Sequence, residues 1–238
     1  MNSASSAFAI QRSMVEAEQE FDLIIIGGGI TGISVAREAA SRGLKTVLLE
    51  RGDFGSGTSA ATTKYIHGGI RYLEQYDVAV VRESLRERRI LALGAPHLVE
   101  QTRFIMPAWR WSKPPTALIG AGVLLYDTLA FDRNLRAPDS LRIPHPRWVS
   151  RSKLLAAVPW LDQSGLQVGF AYHDTLNVHP ERLLLAYAKS ATAAGAVLLN
   201  HTRVNSFVST SSERLHIEGV RATDVLSGQE MVIRGKVV

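Results

Sequence analysis

The sequence contains no cysteine at any of its 238 positions. Disulfide bonds, thiolate metal sites and cysteine nucleophiles are therefore excluded. Long hydrophobic runs are also missing: the longest, 116–131, is interrupted by Asp127 and is too short to cross a membrane, so we expect a buried or interfacial helix there. Residues 1–20 are polar and lack the basic start and apolar stretch of a signal peptide, which predicts a flexible tail.

Acidic residues are outnumbered by basic ones, and the formal net charge is +5. A basic surface can meet nucleic acid, an anionic membrane face or an anionic small molecule. The arginines are spread along the chain without forming a nucleic-acid-binding arm, so we expect no nucleic-acid partner. The histidines show no metal-ligand spacing. The adjacent His173 and Asp174 could suggest a metal pair, but we expect no metal site.

The first ordered region has the pattern of a βαβ unit. Residues 21–26 form a nearly continuous apolar run, which is typical of a parallel strand buried on both faces. Residues 30–40 have apolar side chains at helical spacing, and 46–49 form a second short apolar run. Strand, helix and strand within this length predict an α/β fold of the Rossmann type.

A glycine pattern lies between the first strand and the helix. Gly27, Gly29 and Gly32 have the spacing of the dinucleotide fingerprint, in which they allow a tight turn, approach of a pyrophosphate and close helix–strand packing. Glu50 ends the second strand, where an acid accepts hydrogen bonds from ribose hydroxyls. The alternative is a glycine-rich turn beside a surface glutamate. The fingerprint alone does not separate FAD from NAD, because both present an ADP group.

Residues 57–73, GTSAATTKYIHGGIRYL, form the most distinctive stretch. Its hydroxyl groups suit a phosphate or the edge of a flavin ring. His67 can remove a proton near neutral pH, and Arg71 can bind a phosphate or an alkoxide. Other interpretations remain open: a structural histidine for His67, a surface ion pair for Arg71 and core packing for Tyr72.

Together with 24–32, IIIGGGITG, this stretch closely resembles the FAD-dependent glycerol-3-phosphate dehydrogenases and oxidases. The resemblance extends from about Phe21 to Val238, and it is most specific in the first 80 residues. It implies FAD as cofactor and oxidation of sn-glycerol 3-phosphate to dihydroxyacetone phosphate, with electrons passed to a quinone or to oxygen. It also implies a cytoplasmic protein with a peripheral contact at the inner face of the cell membrane, and it leaves the oligomeric state open.

The resemblance assigns roles to individual residues. Ser59, Thr62, Thr63 and Lys64 would lie along the FAD, and the isoalloxazine ring would lie near His67 and Gly68. Arg71 and Tyr72 would point into the substrate pocket. The residues expected to be catalytic are thus His67, Arg71 and Tyr72.

The remaining pattern suggests an insertion and a return to the first domain. We predict a tail at 1–20, an FAD-binding βαβ region at 21–108, an inserted cap or substrate segment at 109–170, and a return with β-hairpins at 171–238. Helices are predicted at 77–93 and 180–194. Short strands are predicted at 196–199, 207–209, 215–217, 220–225 and 231–233, with turns at 211–213 and 227–228 and another buried strand beginning at 236.

Family members are longer, so the resemblance implies that this FAD domain is incomplete at its C-terminus. One alternative function is therefore a catalytically inactive FAD-binding remnant or a cofactor-binding subunit. Another is a related flavin oxidase that acts on an amine or an amino acid, although the His-Gly-Gly-x-Arg-Tyr-Leu stretch argues against it.

Overall fold

A computed structural model describes residues 20–210 and 216–238. The predicted tail at 1–20, apart from Glu20, and the predicted turn at 211–213 lie outside these residues. In chain order the strands and helices are β1 (Phe21–Ile26), α1 (Ile30–Ser41), β2 (Thr46–Leu49), β3 (Tyr65–Ile66), α2 (Val78–Gly94), β4 (Glu100–Trp109), α3 (Thr116–Leu129), β5 (Arg147–Ser150), α4 (Arg151–Ala157), β6 (Leu166–Leu176), α5 (Pro180–Ala193), β7 (Val197–Leu199), β8 (Thr202–Thr210), β9 (His216–Asp224) and β10 (Glu230–Val237).

The chain divides into two compact units. Unit 1 combines the residues up to Thr62 with Pro180–Val238, and unit 2 is Thr63–His179. The sequence-based boundaries, at 108/109 and 170/171, differ from this division. The reason is strand pairing: β4, which falls in the predicted FAD-binding region, pairs along its whole length with β6, which lies beyond 109.

Unit 1 contains a six-stranded sheet in the order β7-β2-β1-β10-β9-β8. Strands β7, β2 and β1 are parallel neighbours, and every residue of β2 is buried, as its continuous apolar run predicts. Helices α1 and α5 cover one face, where Ile33 and Ala36 pack in the same cluster as Leu184 and Ala188. The predicted Rossmann-type α/β fold is confirmed.

The C-terminal strands of unit 1 are longer than the sequence patterns indicate. The predicted pieces at 207–209, 220–225 and 231–233 are parts of β8, β9 and β10, and the 227–228 turn joins the last two. The prediction of another buried strand beginning at 236 is wrong. Residues Lys236 and Val237 continue β10, whose end turns to pair in parallel with β1, and both side chains are exposed.

Unit 2 is built on an antiparallel sheet with β6 in its centre. Strand β4 pairs with one edge of β6, from Glu100 opposite Leu176 to Trp109 opposite Leu166, while β3 and β5 share the other edge. Helices α2 and α3 supply the buried residues Val81, Leu85 and Tyr126. In the described residues, no helix combines the length and the apolar character that a membrane span requires.

Candidate functional site

The glycine turn of unit 1 is held by close backbone contacts. Gly27 has φ +109°, a left-handed conformation that favours glycine, and its amide donates to the carbonyl of Leu49 on β2 (2.8 Å). A Cβ on Gly32 would lie 2.0 Å from the carbonyl oxygen of Gly27. Any side chain at position 32 would therefore push helix α1 away from the turn, so the spacing of these two glycines follows directly from the packing.

The residue at the N-cap of helix α1 supplies no side-chain hydrogen bond to the helix. Gly29 is in extended conformation at the N-cap and offers no side chain, and the Ser59 hydroxyl accepts a hydrogen bond from the amide of Ile30 instead (2.9 Å). The first amides of a helix have no partner within the helix, and the helix dipole favours negative charge at this end. The turn and Ser59 thus form a place suited to a phosphate oxygen.

Glu50 lies at the carboxyl end of β2, beside the same turn. Its Oε2 accepts from the amide of Gly28 (2.6 Å) and its Oε1 accepts from the amide of Gly52 (2.8 Å). The carboxylate is half-buried and is fixed in place by these two contacts. Because each carboxylate oxygen can accept more than one hydrogen bond, both oxygens keep capacity for a hydroxyl donor. The sequence pattern predicts the position of Glu50 but not that it also holds the turn.

The predicted cofactor-binding residues are distributed over both units. Gly27, Gly29, Gly32, Glu50 and Ser59 come together at the carboxyl ends of β1 and β2 in unit 1. The exposed Thr62 ends the first part of unit 1 and the exposed Thr63 begins unit 2. The remaining predicted cofactor-binding residues, Lys64, His67 and Gly68, lie in unit 2. Unit 2 also contains Arg71 and Tyr72, which together with His67 are the predicted catalytic residues.

The His-Gly-Gly turn of unit 2 follows directly after β3. Before it, Lys64 has φ +65°, and its carbonyl accepts from the amide of Asn177 (2.7 Å). His67 is exposed, and its Nδ1 accepts from the amide of Gly69 (3.1 Å). When Nδ1 of a neutral imidazole is an acceptor, Nε2 carries the hydrogen, so Nε2–H of His67 is the group available to a ligand.

Arg71 and Tyr72 lie on the 3₁₀ turn Ile70–Gln75, and both are exposed. Within the part of the chain that the structure describes, Arg71 has no carboxylate within salt-bridge distance, which disfavours its interpretation as half of a surface ion pair. Tyr72 is 39% exposed, and one edge of its ring lies against Gly69. Neither side chain is committed to the core, so both can meet a ligand.

A buried polar network that the sequence analysis does not identify supports this turn. Gly68 is buried, and its amide donates to the Tyr126 hydroxyl (2.8 Å) and to Oδ1 of Asp174 (3.2 Å). The Tyr126 hydroxyl in turn donates to Asp174, and the Arg88 guanidinium pairs with the same carboxylate. A Cβ on Gly68 would lie 2.4 Å from the Tyr126 hydroxyl, so the network leaves no room for a side chain.

Burial determines the protonation states around this network. Burial, with the negative charge of Asp174, raises the pKa of Tyr126 far above its usual value. The same two causes raise the pKa of Tyr172 to about 12. Both phenols therefore remain neutral donors at physiological pH.

The adjacent His173 and Asp174 do not act as a pair. Asp174 is engaged by Arg88 and Tyr126 rather than by His173, and the described residues contain no cluster of metal-ligating side chains.

The position of Arg88 in the sequence indicates that a buried polar network exists. Arg88 lies on the same helical stripe as Val81, Leu85 and Ala92, all of which are buried. A charged residue is almost never fully buried without a partner, so an arginine on an apolar stripe indicates a buried acid elsewhere in the chain. The sequence does not reveal which acid, because Asp174 is 86 residues away from Arg88.

Comparison with known proteins assigns this arrangement to a family. Residues 22–232 match the family described as FAD dependent oxidoreductase. Glycerol-3-phosphate dehydrogenase of Synechocystis sp. is 41% identical over 213 residues, which are 90% of this chain and 37% of that protein. Alpha-glycerophosphate oxidase of Streptococcus pyogenes serotype M18 is 37% identical over 223 residues, which are 93% of this chain and 35% of that protein.

A solved structure also resembles the chain over its whole length. It is that of glycerol-3-phosphate dehydrogenase from Bacillus halodurans complexed with FAD, with a TM-score of 0.69 and 28% identity, and it covers 100% of this chain and 37% of that one. The chain thus spans little more than a third of the length of the proteins it matches.

Proposed function

This chain belongs to the FAD-dependent oxidoreductase family, and from that premise we propose that it holds FAD and takes part in the oxidation of sn-glycerol 3-phosphate to dihydroxyacetone phosphate. The observation that carries the proposal is the glycine turn, in which Gly32 packs against Gly27 beside the Glu50 carboxylate. The substrate is inferred from relatives named for glycerol 3-phosphate at 37–41% identity. These relatives are nearly three times as long as this chain, so reduction of the flavin is measured on the 238-residue chain itself.

The residues of unit 1 fit the ADP portion of FAD. The turn at Gly29 and the Ser59 hydroxyl offer backbone amides and a hydroxyl to the pyrophosphate, and Glu50 offers acceptor capacity to the ribose hydroxyls. FAD, when bound, supplies the acceptor for the hydride that leaves the substrate carbon. We infer that the remaining contacts come from Thr62, Thr63, Lys64, His67 and Gly68.

We assign the handling of the substrate proton to His67. Its Nε2–H can bond the oxygen of the secondary alcohol while Nδ1 is held by the amide of Gly69. To act as a base at Nε2, the neutral ring must carry its hydrogen on Nδ1, and this disrupts the Gly69 contact. Proton uptake by His67 is thus coupled to the conformation of the His-Gly-Gly turn. Arg71 would bind the phosphate or the developing alkoxide, and Tyr72 would line the substrate pocket.

For the electron acceptor we propose a quinone, reached through a peripheral contact of the cytoplasmic protein with the inner face of the cell membrane. Helix α3 supports this because Leu118, Leu124 and Leu125 are all at least 43% exposed on it, and its only charged residue is Asp127. Exposed apolar patches commonly mark interaction sites. Replacing Leu124 and Leu125 together by Glu should reduce cosedimentation with anionic vesicles, and the same change at the exposed Val225 and Leu226 should not.

The substrate assignment is tested by anaerobic reduction of the flavin. The chain is loaded with FAD and its absorbance near the flavin bands is followed after addition of glycerol 3-phosphate, with glycerol, glycine and L-proline as comparison substrates. We expect bleaching with glycerol 3-phosphate alone, slowed by about 10²–10⁴-fold in His67→Gln. Bleaching by an amino acid would favour the amine-oxidase alternative. Retained flavin without any bleaching would favour a cofactor-binding remnant or subunit.

A further inference from the structure

The strand register places three basic residues on the same face of the unit 2 sheet. Arg103 on β4 is paired with His173 on β6, and Arg147 on β5 is paired with Ala171, two positions before His173. Side chains at paired positions, and at positions two apart on a strand, lie on the same face. Arg103, His173 and Arg147 are therefore neighbours, and we call them the β6 basic cluster.

Within the part of the chain that the structure describes, no carboxylate balances the charge of this cluster. Among residues 20–210 and 216–238, neither Arg103 nor Arg147 lies within salt-bridge distance of an acid. Asp174 is the next residue on β6, but strand alternation directs it to the opposite face, where Arg88 pairs with it. Both arginines are exposed, so their guanidinium groups are accessible to a ligand.

The His173 ring is not committed to any protein group. In the described part of the chain its side chain makes no hydrogen bond, and its Nδ1 is buried without a partner. Burial lowers the pKa of His173, and the positive charges of Arg103, Arg147 and Arg88 lower it further. A neutral imidazole beside two exposed guanidinium groups, none of which has a protein partner among the described residues, is an arrangement that an anion would complete.

We propose that the β6 basic cluster binds the phosphate group of a small phosphorylated molecule. A single guanidinium can donate hydrogen bonds to both oxygens of a carboxylate. A phosphate has more terminal oxygens, enough to accept hydrogen bonds from Arg103, Arg147 and the His173 ring together. The exposed arginines define the site, and the ring completes it through Nε2, since Nδ1 is buried. The proposal rests on contacts within unit 2 and does not depend on the proposed oxidation reaction.

Titration with inorganic phosphate tests this site. The imidazole resonances of the 238-residue chain are followed by NMR, with the His173 signals assigned from their absence in His173→Gln. We expect a saturable shift of the His173 signals, and a Kd weakened at least about fivefold in Arg103→Gln and in Arg147→Gln. The matched control is Arg221→Gln, which removes an exposed arginine from β9 in unit 1 and should leave the Kd unchanged.

Two results would overturn the proposal: a His173 signal that does not saturate with phosphate, or an equal loss of affinity in Arg221→Gln and Arg103→Gln. The melting temperature of each variant is measured alongside, so that unfolding is not mistaken for lost affinity. Competition then identifies the source of the phosphate. Displacement of phosphate by glycerol 3-phosphate but not by glycerol supports a site for the phosphate end of such a substrate, and simultaneous binding of both supports a site for a separate phosphorylated ligand.

Discussion

The buried pair of Arg88 and Asp174 allows a quantitative prediction for the stability of unit 2. Both side chains are only 3% exposed, and the Asp174 carboxylate also accepts from Tyr126 and from the amide of Gly68. Replacing Asp174 by Asn keeps the size of the side chain and removes its charge. The Arg88 guanidinium is then left buried without a counterion, and the amide group of the new Asn can orient only one acceptor oxygen toward its three donors.

Removing one partner of a buried ion pair costs about 3–5 kcal/mol. A typical domain has an unfolding free energy of about 5–15 kcal/mol, so Asp174→Asn should remove about a fifth or more of the stability of unit 2. Tyr126→Phe should cost only about 1 kcal/mol, because the Gly68 amide keeps its contact with Asp174. Asp139→Asn is the control: Asp139 pairs with Arg142 at 93% side-chain exposure, and its loss should change the stability by less than about 1 kcal/mol.

Urea denaturation followed by tryptophan fluorescence measures this effect in the appropriate part of the chain. All four tryptophans, at 109, 111, 148 and 160, lie in unit 2, so the signal reports its unfolding. Arg88→Met combined with Asp174→Asn should be less destabilised than the sum of the single variants, because the unpaired cation is gone. A cost below about 1 kcal/mol for Asp174→Asn, equal to that of Asp139→Asn, would refute the buried pair.

Two further predictions concern other carboxylates. Glu50→Gln should weaken FAD binding by roughly tenfold or more because hydrogen bonds to a charged acceptor are lost, whereas Glu38→Gln on the exposed side of α1 should not change the Kd measured by flavin fluorescence. The Arg82 guanidinium lowers the pKa of Asp132, so this pair stabilises the fold above the unfolded pKa of about 3.9 and loses its contribution as the pH falls through the lowered folded value. Asp132→Asn should therefore be less stable than the parent at pH 7 by about 1–2 kcal/mol and should match it in acid; a difference that persists below both pKa values would contradict this explanation.

Local periodicity is enough to predict the parallel part of unit 1. Residues 21–26 and 46–49 are strands and the helix between them begins at Ile30, as the two apolar runs and the glycine turn predict. Strand β2 is buried throughout, whereas in β1 only Phe21 and Ile24 are buried and Ile26 is 48% exposed, so the predicted burial of β1 on both faces is wrong. The division of the chain into units could not be predicted in the same way. It depends on β4 pairing with β6, an interaction between segments more than 55 residues apart, and Pro107 weakens the strand pattern of β4.

In the candidate site, too, the sequence predicts the features that depend on local spacing but not those that depend on long-range contacts. The positions of Gly27, Gly32 and Glu50 follow from spacing along one βαβ unit, which the sequence displays directly. The support of Gly68 by Tyr126 and Asp174 comes from segments 58 and 106 residues away, and no local pattern links them. The sequence spacing also does not reveal that the Gly69 amide donates to Nδ1 of His67. This contact favours the neutral ring that carries its hydrogen on Nε2.

Equilibrium titration of FAD tests the central claim most directly, using the parent chain, Gly32→Ala and Gly57→Ala. A Cβ at position 32 would lie 2.0 Å from the Gly27 carbonyl, whereas a Cβ at position 57 would have no atom within 4 Å. We predict that the parent and Gly57→Ala bind one FAD with equal affinity and that Gly32→Ala, still folded by circular dichroism, binds it far more weakly. A folded parent chain that takes up no FAD, or a folded Gly32→Ala that binds as well as the parent, would contradict the account.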